Sequence, residues 1–357
     1  MVAPLFKKRN HFAAGVLTPA LTKRDVQPPL ETPFNGSTLK SAWSIIDLPS
    51  SVSKPCNVPG LRFLCSTLCL TALSLRLSVG QSLVAWLAGQ GLLAISLLQW
   101  FVILHECGHN TLFRHKGLNV FVGHLASVAA VIPFLCWKPV HRQHHKWTGW
   151  RDRDPTTALL LPDSFGAAKK WLINFCWRLY LPLFSIVYRI QNYWNYRRLT
   201  RIFGDRGLER RFFCNICGLA IFYAAVVLAF GMRRLLEWVG LGMFLNFIIQ
   251  DLVLLSQHTH MPLNVSNGAA VRPYPLIQQA VFTRSLKFPA WFSTFVLLNF
   301  DAHELHHMYP FVPGYFLRRI PHQPANEINW WRWVREAKKL RGEIFLLQNR
   351  EQSGVYL

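Results

Sequence analysis

Residues 82–109 read SLVAWLAGQGLLAISLLQWFVILHECGH, an apolar run with no charge before Glu106 that ends in two histidines four positions apart. A helix rises about 1.5 Å per residue and a bilayer's hydrocarbon core is about 30 Å thick, so about 20 mainly apolar residues suffice to cross it. Residues 82–104 meet that requirement, as do about 59–78, 212–230 and 234–256. Arg62 and Arg76 lie near the ends of the first, where long side chains can reach the interface, and Glu237 and Asp251 lie inside the fourth. Only Leu77-Ser-Val-Gly-Gln81 separates the first two runs, and only a few residues from Gly231 separate the last two, which predicts two hairpins. Residues 138–211 hold 15 Lys and Arg and both termini are basic, so the long segments are predicted cytosolic and the tight loops on the far side. The predicted fold is an all-α integral membrane protein of four transmembrane helices under a cytosolic helical cap. Residues 1–55 read as a cytosolic arm, 56–320 as the membrane domain and 321–357 as a cytosolic tail.

Composition agrees with the runs. Of 357 residues, 51% are hydrophobic and 16% charged, too few charges for an ordinary soluble domain. Disordered, collagen-like and disulfide-scaffold classes are excluded on the same grounds. A net charge of +22 would suggest nucleic acid in a soluble chain; in a membrane protein it faces anionic head groups and acidic partners, and no nucleic-acid partner is expected. The eight cysteines form no paired framework and read as reduced, buried small hydrophobes; Cys214-x-x-Cys217 lacks the context of a redox pair.

Ten of the 14 histidines fall into four groups: His105 with His109; His141, His144 and His145; His258 with His260; and His303, His306 and His307. At this histidine frequency the expected number of H-x-x-H-H windows is about 0.02, and the chain has two. Spacings of three and four set side chains on one helix face, so each group presents imidazoles in one direction. Imidazole suits Fe, Zn, Cu and Ni, and the scarcity of carboxylate in the groups argues against Ca²⁺ and Mg²⁺. Eight histidines in the three longer boxes exceed the needs of one ion. With His258, or alternatively His260, the number suits two ions at four or five ligands each. His258 is preferred because it lies one turn past Leu254 at a helix end, whereas His260 follows a break set up by Pro262.

Neutral histidine ligands need an acceptor for the second ring nitrogen, and Glu106, Asp152, Asp154, Asp301 and Glu304 are the nearby carboxylates. Each also reads as a solvated or helix-capping charge. His11, His115, His124 and His322 read as histidines outside the site. For all groups to meet on one side, 118–136 must lie in the interface or re-enter, and 171–190 must be one interfacial amphipathic helix. The same reasoning places a narrow apolar cavity between 82–104 and 234–256, beneath the histidines.

The boxes His105…His109, His141…His144-His145 and His303…His306-His307 resemble the membrane fatty-acid desaturase superfamily over about residues 82–320. Thr148-Gly149, Gln257-His258-Thr-His260 and the Pro310-Phe-Val-Pro-Gly-Tyr315 tail are similar to acyl-lipid desaturases of the Δ12/ω3 type; Lys146-Trp147 and Glu304-Leu305 depart from that pattern. The resemblance implies a non-haem di-iron centre of two Fe, O₂ as co-substrate, a lipid acyl substrate and removal of two vicinal hydrogens to leave a cis double bond. It also implies a multi-pass location in endoplasmic reticulum, bacterial inner membrane or plastid. No His-Pro-Gly-Gly sequence occurs, so electrons are expected from an external cytochrome b5 or ferredoxin. Hydroxylases and carotenoid ketolases or hydroxylases share the boxes. A non-enzymatic metal-capped membrane protein is a further reading, and His105-Glu-x-x-His109 alone would also fit an intramembrane zinc protease with Glu106 as base.

Overall fold

A computed structural model describes residues 48–80, 82–161 and 165–357; His11 and most of the predicted N-terminal arm lie outside these. The first hairpin is α1 (Asn57–Ser78) and α2 (Leu83–His109). Gly89 lets the two helices approach closely, because a Cβ there would stand 2.8 Å from the Ser74 carbonyl oxygen. Polar groups inside the helices are paired with one another. The Thr71 hydroxyl bonds Ser96 at 2.5 Å and accepts from Trp100 Nε1 at 2.9 Å.

Next come α3 (Lys116–Ala130) and α4 (Phe134–Trp147), bent 97° at Val131-Ile132-Pro133. Val131 takes a left-handed conformation, φ 56°, and Pro133 starts the new helix, so 118–136 forms no continuous crossing segment. Residues 171–190, predicted as one helix, are two: α5 (Ala167–Arg178) and α6 (Leu183–Arg189). Tyr180 at φ 55° and Pro182 break the run, since a residue before proline is pushed out of the helical region. A π-turn at Ile190–Trp194 leads into α7 (Tyr196–Phe203).

The second hairpin is α8 (Arg206–Phe230), turning at Gly231, and α9 (Met232–His258). Thus four helices among the described residues are long and apolar enough to cross a membrane. Gln90 of α2 ties the pairs together by donating to Ser78 Oγ and the Trp238 carbonyl and accepting from Gly242 N. The outer faces of α1 and α8 expose Leu68, Leu73, Phe213, Ile221 and Leu228, an apolar surface suited to lipid. Cys65, Cys69 and Cys214 lie exposed on these helices and Cys56 is exposed just before α1, so the uniform burial predicted for cysteines fails there; Cys107, Cys136 and Cys176 are buried. A cysteine is small and apolar enough to face lipid as well as protein.

The chain after α9 folds over the helix ends. Its elements are a parallel pair, β1 (Ser285–Lys287) and β2 (Glu327–Asn329), then α10 (His303–Met308), α11 (Trp330–Lys339) and α12 (Gly342–Leu347). Residues 321–357, predicted as a tail, are built into this cap. Phe345 is fully buried and stacks on Trp177, while Trp333 is fully buried in the same cluster.

Candidate metal centre

Four helices deliver the histidines to one place. His105 and His109 end α2, His141, His144 and His145 end α4, His258 ends α9, and the third box forms α10. Helical phase then sorts them. In box two, His144 and His145 stand about 100° apart around the helix and His141 lies nearer His145, at about 40°, than His144, at about 60°; box three sets His303, His307 and His306 in the same relation.

The result is two groups. His105, His109, His141 and His306 form the first, and His144, His258, His303 and His307 the second, each with one ring nitrogen per residue within 4.8 Å of the others. In the first, His141 Nε2 lies 2.8 Å from His109 Nε2 and His105 Nε2 lies 3.1 Å from His306 Nε2. His145 Nε2 stands 3.0 Å from both His141 Nε2 and His306 Nε2 and adds a fifth nitrogen. In the second, His258 Nε2 is 3.1 Å from His144 Nε2 and 2.9 Å from His303 Nε2.

The tautomers show what these facing nitrogens require. His144 Nδ1 lies 2.7 Å from Asp154 Oδ2, and His258 Nδ1 lies 3.3 Å from the Phe282 carbonyl oxygen. A carboxylate and a carbonyl only accept, so both Nδ1 atoms carry the proton and both Nε2 atoms present lone pairs to each other. Lone pairs about 3 Å apart repel unless a cation lies between them, and imidazole nitrogens bind first-row metals at about 2.0–2.1 Å. His307 repeats the pattern: its Nδ1 donates to Gln279 Oε1 at 2.9 Å, leaving a buried Nε2 without a partner among the described residues. The donor set therefore fits two metal ions.

Burial, and then the neighbouring imidazoles, hold His303, His306 and His307 well below the usual histidine range. They are neutral, the form that binds metal.

The predicted acceptors divide. Asp154 serves His144, steadied by Thr156 N and Oγ1, both 2.8 Å from Asp154 Oδ1. Glu106 Oε1 lies 3.2 Å from His105 Nδ1, and its Oε2 accepts from Thr111 Oγ1 and Gly314 N. With those donors and 4% exposure, Glu106 is no free base for water, which removes the protease arrangement. Asp152, Asp301 and Glu304 touch no box histidine. Asp152 accepts from Ser266, Asp301 from Ser293 and Arg318, and Glu304 from the 325 and 326 backbone amides and His322. Glu304 misses because a one-residue step turns it about 100° from His303 around α10.

Two acceptors were not foreseen, Gln279 and the Phe282 carbonyl, because neither residue type advertises the role; Thr156, two positions past Asp154, carried at least a positional signal. His260 is a correction. It takes φ 63°, turns away from the cluster, and its ring meets Ser353 Oγ at 2.8 Å and the Gln348 carbonyl at 3.1 Å. His115 is exposed and His124 packs on Phe134, both outside the site.

A cavity of about 80 Å³ touches His105, His141, His144, His258 and His303. It shares Leu160, Phe184, Tyr188 and Leu346 with an adjoining apolar channel of about 300 Å³ walled by Leu172, Cys176, Trp177 and Leu181. Phe101 and Leu254 of the long helices contribute to its inner end, and its outer part lies beside α5 and α6; a separate apolar cavity of about 280 Å³ does lie between α2 and α9 as predicted, lined by Ile95, Ile249, Leu252 and Val253, but no box histidine lines it. The broken helix at Pro182 makes the channel's lateral wall.

The sequence matches the fatty acid desaturase family over residues 81–329. It is 26% identical to an sn-1 oleoyl-lipid 12-desaturase of Picosynechococcus over 68% of this chain and 69% of the relative. It is 25% identical to an acyl-lipid (9+3)-(E)-desaturase of Dimorphotheca sinuata over 85% of both chains. A fatty acid desaturase of Bacillus subtilis is 27% identical over 65% of this chain and 66% of its own.

Proposed function

The chain belongs to the fatty acid desaturase family, and from that premise we propose that it is an O₂-dependent desaturase that introduces a cis double bond into a lipid acyl chain at a His-ligated di-iron centre. The observation that carries the reading is the junction of an apolar channel with two imidazole groups whose lone pairs converge. His105, His109, His141, His145 and His306 would hold one iron and His144, His258, His303 and His307 the other. When bound, the irons supply redox chemistry with O₂ that removes hydrogen from an unactivated methylene, which no side-chain acid or base can do.

The chain's own residues bind and place. Phe101, Trp137, Leu254 and Phe300 line the inner end of the chamber beside the histidines and offer a methylene chain an apolar bed. Asp154, Gln279 and the Phe282 carbonyl fix ring planes, so ligand nitrogens stay aimed without reorganisation. The names of the relatives support an acyl-lipid substrate.

The cap faces the cytosol in this reading. Electrons come from an external, acidic cytochrome b5 or ferredoxin, steered by exposed Arg142 and Lys146. Arg151, by contrast, is buried and donates to the Leu347 carbonyl. Turnover with a reduced donor is expected to slow between low and physiological salt, where the Debye length is about 8 Å; salt indifference would assign the basic face to lipid alone.

The deciding experiment expresses the gene in yeast or a bacterium and profiles fatty acids by gas chromatography and mass spectrometry, with His144→Ala as the silent control. A new monoenoic or dienoic acid supports the reading, and a hydroxylated product replaces it with a hydroxylase. Purified protein is expected to hold about two Fe per chain, and active protein with a single zinc would sink the di-iron assignment.

A further inference from the structure

Beyond the apolar channel lies a cavity of about 750 Å³ that shares Leu159 and Gln191 with it. Its chemistry is opposite. Arg153, Arg197, Arg198 and Arg201 line it, with Asn195; among the described residues its one carboxylate is Asp152, which accepts from Ser266 N and Oγ and lies 3.9 Å from Arg153 Nε. Two of the arginines are fixed in place. Arg198 donates to Asn192 Oδ1 at 2.7 Å and to the Pro155 carbonyl, and Arg153 donates to Ser266 Oγ at 3.0 Å and to the Ala269 carbonyl. The other two, Arg197 and Arg201, stand one turn apart on α7, exposed, and their side chains have no hydrogen bond or ion pair among the described residues. Histidine cluster, apolar cavity and cationic basin thus adjoin in that order through shared lining residues, an order that suits an amphiphile with an anionic head.

We propose that this basin holds the phosphate of a glycerophospholipid whose acyl chain lies in the channel, so that the enzyme selects phospholipid over neutral lipid. Guanidinium forks match phosphate oxygens in pairs, and with Arg153 facing Asp152, the guanidiniums of Arg197, Arg198 and Arg201 remain without a carboxylate partner among the described residues, a charge that a sugar head group would leave unneutralised. A membrane source fits because the channel passes α5 and α6, whose Trp171, Leu172, Phe175 and Leu179 lie exposed as an apolar surface beside it. A lipid can enter from the bilayer there with its head at the interface. The proposal rests on reading the channel as an acyl site.

The test uses the full-length protein in detergent with Arg197→Gln and Arg201→Gln combined, a pair whose loss breaks no hydrogen bond or ion pair among the described residues. Phosphatidylglycerol, monogalactosyldiacylglycerol with the same oleoyl chains, and oleoyl-CoA are offered separately. Native mass spectrometry counts the lipid retained, and turnover gives kcat/KM for each. The wild type is expected to retain phosphatidylglycerol in preference, and the double variant to lose that preference about three- to tenfold through KM. Arg332→Gln, which removes a charge on α11, serves as control and should keep the preference. Equal retention of phospholipid and galactolipid overturns the proposal, and selective retention of oleoyl-CoA overturns the membrane source. Selective phospholipid retention without desaturation of any lipid would sink the proposed activity and leave the head-group site standing.

Discussion

Replacing Gly108 with Ala adds one methyl group, and the structure says where it goes. A Cβ at 108 would lie 2.1 Å from Trp137 Cζ3, 2.9 Å from Cε3 and 3.0 Å from Cη2. Ordinary contact begins near 3.4 Å, so the indole must retreat by about 1.3 Å. It has little room to do so, because Trp137 is 2% exposed and stacks on the His141 ring at a centroid distance of 4.2 Å and 21°. His141 Nε2 is in turn 2.8 Å from His109 Nε2, the neighbour of the substituted residue. Overpacking of this kind costs about 1–3 kcal/mol of stability. Its catalytic effect is larger, since a displacement of about 1 Å in a reacting constellation can cost about a hundredfold. The expected outcome for Gly108→Ala is folded protein with reduced iron and product formation lowered about a hundredfold, measured by elemental analysis and gas chromatography of the fatty acids. Trp137→Phe removes the benzo edge that the methyl strikes. Combined with Gly108→Ala it is expected to restore at least tenfold of the lost activity, a coupling that only residues in contact show. Full iron with near-normal turnover in Gly108→Ala, or simple additivity of the two changes, would refute the reasoning.

Three further outcomes follow from the same geometry. Asp154→Ala removes the acceptor of His144 Nδ1 and is expected to weaken metal binding about 10- to 100-fold, read by chelator competition, with the loss falling first on the group that contains His258. His260→Ala breaks contacts to Ser353 and Gln348 and is expected to destabilise the cap by about 1–3 kcal/mol while leaving iron content unchanged; loss of one iron per chain would return His260 to the ligand set. The metal-free protein should lose stability in acid. His303, His306 and His307 bind protons less readily folded than unfolded, so their contribution is complete above about 6.5 and declines as pH falls below it; a melting temperature that stays flat or rises from pH 7.5 to 5 would contradict neutral, buried imidazoles.

What the sequence made legible was what length and periodicity control. Four apolar runs of spanning length became the four long helices, and histidines spaced by three and four arrived in one cluster. The losses have local causes. The break in 171–190 hung on one left-handed residue, Tyr180, ahead of Pro182, and the cavity that adjoins the histidines is walled by the two resulting helices, whereas the apolar cavity between the spans reaches no histidine. Asp152, Asp301 and Glu304 are near the boxes in sequence, yet their oxygens answer backbone amides, serines, an arginine and His322, because a carboxylate's partner is set by the direction of its helix face or turn. Gln279 lies 28 positions from the histidine it orients, and an amide in a 3₁₀ turn gives no pattern to read.

The spacing within the boxes carries more information than ligand number. An H-x-x-H-H run on a helix can split two to one, since its last two members stand about 100° apart and the first lies nearer the last, at about 40°, than the middle one, at about 60°. Box two sends His141 and His145 to the first group and His144 to the second; box three sends His303 and His307 to the second and His306 to the first. Two such runs in opposite sense give three ligands to each side, and His105 with His109 on one side and His258 on the other complete five and four. The same phase acts one turn earlier. Phe101, Trp137 and Leu254 each precede a ligand by four residues and Phe300 precedes one by three, and all four line the chamber with the histidines. A helix that aims a ligand at the metal must aim the residue one turn before it along the same face, toward whatever occupies the space beneath. In α2, α4 and α9 that residue is apolar, and Phe300, in the turn before α10, adds a fourth apolar side chain. The bed for an alkyl chain is therefore written in the same periodicity as the metal site, and changing the size of Phe101 or Leu254 is expected to shift where along the chain the double bond falls, while a charged residue at either should abolish product without releasing iron.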